Sequence, residues 1–318
     1  MLFQTLPLLV RERLLSLAAG CTIALPEGED ERIHEAARLL KQFADVRTVV
    51  LDAGSALQHE QLAASVIREN LEKRGKHPTH EQLSRARDPL FVAGALLEKG
   101  LVDAVVAGAV APTPHVIRAV LGTVGTQPSV PLITSCFLFR LNSPTPGGED
   151  IVLYADAGVI PQPSALQIPQ IAVLAAQAFE AWTGREARVG FLSFSTHGSA
   201  QHPDVQKMRD AAASFAQGSP RWLSEGELQF DAAVVPEVAI RKNPNTRLAG
   251  RTNVFVFPDL DAGNIAYKIT QRLAGAEAWG PLLLGSAKPF SDLSRGASAL
   301  DIAHVALLTL ALGRTALH

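Results

Sequence analysis

The sequence predicts an α/β fold with room for two domains, and three observations predict it. Short apolar runs alternate with stretches of helical period, the pattern of β-α-β units that make a parallel sheet wrapped by helices. From Val130 the texture changes, with strand-like runs on either side of a Ser-Pro-Thr-Pro-Gly-Gly turn. The length, 318 residues, is too great for one small core and suits two α/β units.

In chain order, residues 22–26 (TIALP) read as a strand stopped by Pro-Glu-Gly, and Asp30 opens a helix with Ile33, Ala36, Ala37 and Leu40 on one face. A second strand is predicted at 47–52 (RTVVLD). Residues 59–86 carry charges of alternating sign and predict solvated helices. An amphipathic helix at 89–99 precedes a third strand at 102–107. Residues 130–141 and 151–156 predict a strand pair joined by the turn at 143–148. Next come a helix at 167–183, a strand at 187–193, a helix at 204–217, strands at 232–235 and 254–257, and a helix at 264–273. A short strand at 281–285 (PLLLG) and a terminal helix from Ser298 complete the chain.

Composition narrows the function classes. A chain 47% hydrophobic and 19% charged can bury a real core. The net charge of −2 supplies no global field for nucleic acid or an anionic membrane, so any anion must be held locally. Cys21 and Cys136 make neither a disulfide framework nor a metal-ligand spacing, which points to reducing cytoplasm. The apolar piece at 6–10 runs at once into Arg11, Glu12 and Arg13, unlike a signal peptide, and no run approaches the ~20 apolar residues of a membrane span. The histidines do not fall at metal-ligand spacing, and no metal is expected.

The densest polar stretch is 288–301 (KPFSDLSRGASALD), between a predicted strand and the last helix. A loop there can aim backbone N–H groups and Arg295 at an anion. Ser298 with Asp301 three residues on also fits a capping box, and the pattern alone favours the cap over catalysis. Arg87, in Arg-Asp-Pro, and Arg118, in a helix after the loop at 107–113, read singly as solvated side chains. Convergence of such arginines with Arg295 would hold a phosphate. Residues 193–199 (SFSTHGS) end a strand with hydroxyls suited to phosphate or ribose, or form a plain turn. Asp259 and Asp261 read as a solvated turn rather than a cation site. A G-x-G-x-x-G after the first strand, a Walker loop and a G-x-S-x-G elbow are all missing, which disfavours a nicotinamide enzyme of Rossmann type and a P-loop ATPase.

Several segments together resemble the phosphate acetyltransferase (phosphotransacetylase) family. They are Pro-Glu-Gly-x-Asp-Glu-Arg at 26–32, Arg87-Asp-Pro, Ser-Phe-Ser-Thr-x-Gly-Ser at 193–199, GELQFDAA at 226–233, AGRTNVFVFPDL at 249–260, GNIAYK at 263–268 and DLSRG at 292–296. The resemblance implies two three-layer α/β domains with a cleft between them that holds the active site, an architecture like that of isocitrate and isopropylmalate dehydrogenases. The first domain would comprise residues 1–129 plus 284–318, and the second, inserted, 130–283. The implied reaction is reversible transfer of an acetyl group between coenzyme A and inorganic phosphate, with butyryl or propionyl transfer, or an inactive CoA-binding member, as alternatives. Coenzyme A is then a substrate, with acyl phosphate and phosphate as the other small molecules, no bound cofactor, and a homodimer as the assembly.

Carried over by motif, Asp301, Ser294 and Arg295 are the implied catalytic residues, and Arg87, Arg118, Ser195 and Thr196 the substrate contacts. This favours a catalytic Asp301, which can still cap its helix. Two departures stand out: His197 where the family commonly has Lys, and Ala157 where it commonly has Cys.

Overall fold

The computed structural model describes residues 2–315. The chain divides into two compact units: residues up to Ile133 together with those from Gly285 onward, and Thr134–Leu284. The first stretch of chain forms α1 (Leu8–Ala18), β1 (Thr22–Leu25), α2 (Glu31–Ala44), β2 (Arg47–Val50), α3 (Ala53–Leu57), α4 (Glu60–Lys73) and α5 (His80–Ser84). It continues with α6 (Pro89–Glu98), β3 (Ala104–Val106) and α7 (Thr113–Thr123). The middle stretch forms β4 (Thr134–Arg140), β5 (Ile151–Ala155), α8 (Gln167–Thr183), β6 (Arg188–Leu192), α9 (Pro203–Gly218) and β7 (Leu223–Leu228). It ends with α10 (Phe230–Val234), α11 (Pro236–Lys242), β8 (Val254–Val256), α12 (Leu260–Arg272) and β9 (Glu277–Leu284). The chain returns to the first unit as β10 (Phe290–Ser291) and α13 (Ala299–Thr315).

In the first unit the strands order β10-β3-β1-β2, all parallel, with Ile23 paired to both Thr48 and Ala104. Pairing of β10 to β3 brings the end of the chain beside its beginning, and β10 runs directly into the 292–298 loop. Helix α2 starts where Asp30 accepts a hydrogen bond from the Arg32 backbone N–H, and it buries Ile33, Ala36, Leu40 and Ala44 at helical spacing. Helices α2 and α13 pack on each other and on the sheet, while α6 packs on β1 and β3 beneath α4 and α7.

The second unit holds a six-stranded sheet, β7-β6-β8-β5-β4-β9. Strands β5, β8, β6 and β7 run parallel, and β4 is antiparallel to both β5 and β9. Phe139, Tyr154, Phe255 and Phe257 sit in one buried cluster of this unit.

Three expectations are corrected. Helix α6 is not amphipathic: every residue from Leu90 to Leu97 is buried, because the sheet lies against it and two helices cover it. The strand expected at 232–235 is helix α10, and the strand lies earlier, in β7. Its sequence, LSEGEL, looks like a polar loop, yet Glu225 and Glu227 are both buried and fully bonded. The apolar strand expected at 281–285 extends back to Glu277, through half-buried residues paired to β4.

Candidate active site

Ser294 and Arg295 lie on the exposed turn between β10 and α13, closed by the Ala297 N–H donating to the Ser294 carbonyl at 2.9 Å. At the end of the turn, the Ser298 N–H and hydroxyl donate to Asp301 Oδ2 at 2.9 and 2.8 Å, and the Asp301 N–H donates to Ser298 Oγ at 3.2 Å. The capping box read in the sequence is therefore formed. Asp301 spends one oxygen on it, and Oδ1 bonds to no other described residue.

Arg32, from the first turn of α2, braces this turn. Its Nη1 donates to the carbonyls of Arg295 at 2.9 Å and Ala297 at 2.7 Å, and Nη2 to that of Ala109 at 2.8 Å. Nε and Nη2 are held by the Asp30 carboxylate, and this bonding keeps the Asp30 carboxyl below its ordinary range. With its donors so occupied, Arg32 is a strut and not an anion ligand. Among the described residues, nothing pairs with the guanidinium of Arg295.

Helix α7 links the remaining arginines to this turn. The loop before it folds around Glu27, whose carboxylate accepts the N–H groups of Gly108, Ala109, Val110 and Ala111 at 2.9, 2.7, 2.9 and 2.7 Å. The first helical residue, Thr113, donates its hydroxyl to Asp292 Oδ2 at 2.5 Å. Two residues on, His115 Nε2 meets Asp88 Oδ2 at 2.6 Å, and Asp88 also caps α6 through the Leu90 N–H. Arg118, on the same helix, is exposed and, among the described residues, donates only to the Pro114 carbonyl. Arg87, beside Asp88, is exposed and ion-paired to Glu60 at 2.8 Å. The chain of bonds thus runs from Arg87–Asp88 through α7, with Arg118, to Asp292 and the Ser294–Arg295 turn.

Asp292 itself is fully buried, with Oδ1 unpartnered among the described residues. Burial pushes its carboxyl up to about 6, against the pull of the Thr113 and Leu293 hydrogen bonds and with a further push from the Glu27 charge. Gly108 is required beside it: φ is +102°, and a Cβ there would stand 2.2 Å from Asp292 Oδ1.

A cavity of about 610 Å³ opens in the same unit, lined in part by Glu27, Asp30, Asp52, Asp88, Val110 and His115. Asp30, Asp52 and Asp88 each cap a helix, so each helix start facing the cavity already carries a carboxylate where a phosphate would otherwise be attracted. None of the predicted catalytic residues lines it.

In the second unit, Ser195 and Thr196 are buried. Ser195 Oγ donates to Glu227 Oε1 at 3.0 Å and accepts the Ala200 N–H at 3.1 Å, while Thr196 Oγ1 accepts the Gln229 N–H at 2.8 Å. Their hydroxyls hold the turn after β6. Glu227 also receives Arg209 at 2.9 and 3.0 Å and the Gly198 N–H at 2.8 Å. Burial pushes its carboxyl up, and these donors more than reverse that, leaving it at about 2. His197, exposed and at φ +46°, bonds Glu225 Oε1 at 2.7 Å and lies 3.0 Å from the Asn243 amide. Ala157 is wholly buried, so that departure changes packing and not an exposed contact.

Sequence reasoning passed over Arg32, Glu27, Thr113, His115 and Asp292. Arg32, Glu27 and Asp292 lie inside quoted motifs, yet what they do depends on partners far along the chain, with Arg32 and the Arg295 carbonyl separated by 263 positions. Among the described residues, no group of three or more His, Cys, Asp or Glu is placed to hold a metal ion, and no helix is long and apolar enough to cross a membrane.

The parallel sheet feeding an exposed Ser-Arg turn, braced from α2 and α7, defines an α/β protein of the acyltransferase class when compared with known proteins. The family model described as phosphate acetyl/butaryl transferase matches residues 9–310, and the chain belongs to that family. It is 38% identical over 307 residues to a phosphate acetyltransferase of Acetivibrio thermocellus, covering 91% of this chain and 92% of that protein. Among solved structures it is similar to a phosphotransacetylase from Streptococcus pyogenes, with a TM-score of 0.86, 32% identity and coverage of 98% and 99% of the two chains. It is also similar to the EutD phosphotransacetylase from Staphylococcus aureus, with a TM-score of 0.83, 33% identity and coverage of 96% and 98%.

Proposed function

We propose that the protein is a phosphate acetyltransferase, converting acetyl-CoA and phosphate reversibly to acetyl phosphate and CoA. The observation that carries this reading is the 38% identity, across 91% of the chain, to a protein named phosphate acetyltransferase. Coenzyme A is consumed as a substrate.

In the direction of thioester formation, the thiol of CoA attacks the acetyl carbon, the C–O bond to phosphate breaks, and the thiol proton passes to Asp301. A thiol of ordinary pKa, about 8.5, is largely protonated at neutral pH, so a carboxylate base speeds attack. The unbonded Oδ1 of Asp301 supports that role, since capping uses only Oδ2. Arg295, with Arg118 and Arg87, neutralises the departing phosphate. The Ser294 hydroxyl donates to the carbonyl oxygen as it gains charge, an interaction worth about 3 kcal/mol where such donors have been removed. Ser195 and Thr196 act by shaping the turn after β6, a role supported by the bond from Ser195 to Glu227 and that from the Gln229 N–H to Thr196.

The unpaired, buried cysteines suit a cytoplasmic location. A homodimer is supported by the exposed apolar stripe of Ile265 and Ile269 on α12 with Leu273 just past its end, 57%, 52% and 84% exposed. Thioester formation from CoA and acetyl phosphate, followed by absorbance and reversed with added phosphate, tests the activity. Turnover only with butyryl phosphate, or none with any acyl phosphate from folded protein, refutes it.

A further inference from the structure

Arg118 and Arg295 are carried by separate elements, α7 and the turn after β10. For two guanidiniums to meet one phosphate, those elements must be held in register to a fraction of an ångström. Arg32 holds the turn to α2 and to the Ala109 carbonyl, but it does not touch α7. The side-chain bond that joins α7 to the segment leading into the turn is the one from Thr113 to Asp292, 2.5 Å long and 179 positions apart in sequence.

We propose that Asp292 is a positioning residue for acyl transfer, its buried carboxyl locking the Ser294–Arg295 turn to the first turn of α7 through Thr113 and against Gly108. The proposal rests on the reading that Ser294 and Arg295 act on substrate. Asp292 is an odd choice for mere packing. It is fully buried, one carboxyl oxygen has no partner, and the backbone at Gly108 comes so close that no side chain fits there. An apolar residue would fill such a place at lower cost, because an unsatisfied buried oxygen is itself destabilising. What an apolar residue lacks is a directional bond to Thr113. That bond fixes where α7 begins, and Arg118 lies five residues further along the same helix, so a shift at Thr113 is passed to Arg118.

A double-mutant cycle on this bond tests the idea. Thr113→Val, Thr113→Ser, Asp292→Ala and the Thr113→Val/Asp292→Ala pair are compared with wild type, with Ser294→Ala and Arg295→Ala as controls. Thr113→Val is expected to lower kcat/KM for acetyl phosphate by about tenfold or more while the KM for CoA changes by less than about twofold. Thr113→Ser, which keeps the hydroxyl, is expected to restore wild-type values. The double variant is expected to be no worse than Asp292→Ala alone, since both remove one bond. A merely structural role would lower the melting temperature without this division between the two substrates.

The proposal is overturned if Thr113→Val keeps wild-type kcat/KM for acetyl phosphate, if Thr113→Ser is as impaired as Thr113→Val, or if the two losses multiply. Should Asp292→Ala not fold, the Thr113→Val and Thr113→Ser pair decides alone. Wild-type turnover by Ser294→Ala and Arg295→Ala instead brings down the active-site reading. Their inactivity beside an unaffected Thr113→Val brings down only the proposal.

Discussion

Glu227 in the second unit and Asp292 in the first are both buried carboxylates, and their surroundings drive them in opposite directions. Glu227 receives Arg209 through two nitrogens, the Gly198 N–H and the Ser195 hydroxyl, and is held at about 2. Asp292 has the Thr113 hydroxyl as its side-chain donor, keeps one oxygen unpartnered and is pushed up to about 6. Burial alone therefore does not say what a carboxylate is for. Where every lone pair is met by a donor, the charge is part of the scaffold. Where the fold tolerates an unmet oxygen two residues from an exposed Ser-Arg pair, stability has been given up at a place where geometry matters.

The comparison can be broken most sharply by activity. Asp301→Asn, in the first unit, is expected to lower kcat by about 100-fold or more with modest change in KM, while the amide oxygen still accepts from Ser298. Steady-state kinetics with melting curves checks this, and an Asp301→Asn protein with normal kcat and a lower melting temperature would leave capping as its whole role.

Glu227→Ala is expected to do the reverse. Removing this buried carboxylate strips the partner from Arg209, Gly198 and Ser195, which is read as a lower urea midpoint, with kcat per folded molecule unchanged. A collapse of kcat at unaltered stability would place Glu227 in the chemistry and end the contrast.

The pH dependence of stability separates the two acids by sign. Asp292, raised from 3.8 to about 6, favours the folded state at low pH. That advantage is lost as pH rises from about 4 to about 6, at most about 3 kcal/mol. Glu227, lowered from 4.5 to about 2, stabilises above about pH 4.5, and its contribution is lost as pH falls towards 2. Urea midpoints across this range should show Asp292→Asn removing the first dependence and leaving the second. His304, buried and pushed down to about 4 from its ordinary 6.5, adds a loss on acidification that both proteins share.

The smallest effect is expected at Arg87. Its ion pair with Glu60 is exposed, so Arg87→Ala should change stability by less than about 1 kcal/mol. The apparent KM for acetyl phosphate should nonetheless rise several-fold, and an unchanged KM would reduce Arg87 to a surface arginine.

Most helices and the apolar strands were legible in the sequence, because their burial follows local periodicity: Ile33, Ala36 and Leu40 mark the inner face of α2 whatever packs on it. The capping box at Ser298 and Asp301 was legible for the same reason, being a contact three residues long. Strand β7 was not, since Glu225 and Glu227 read as solvent-facing until Arg209, His197, Asn243 and Thr246 are brought to them from other elements. Helix α6 was misread in the opposite way: Leu90–Leu97 carries no polar residue, and a helix apolar all round is one covered all round, so its full burial was legible in the sequence.

The sequence by itself determined the α/β class, the order of most elements and the family resemblance, and it pointed to the Ser294–Arg295–Asp301 stretch, all of which depend on residues near one another in the chain. Only the tertiary structure decided that Arg32 is a strut, that Glu27 fills a ring of four N–H donors, and that Asp292 is bonded through Thr113 to α7. The physical reason is that the state of a polar side chain is set by its desolvation and its donors, and in this protein those are supplied by segments tens to hundreds of positions away.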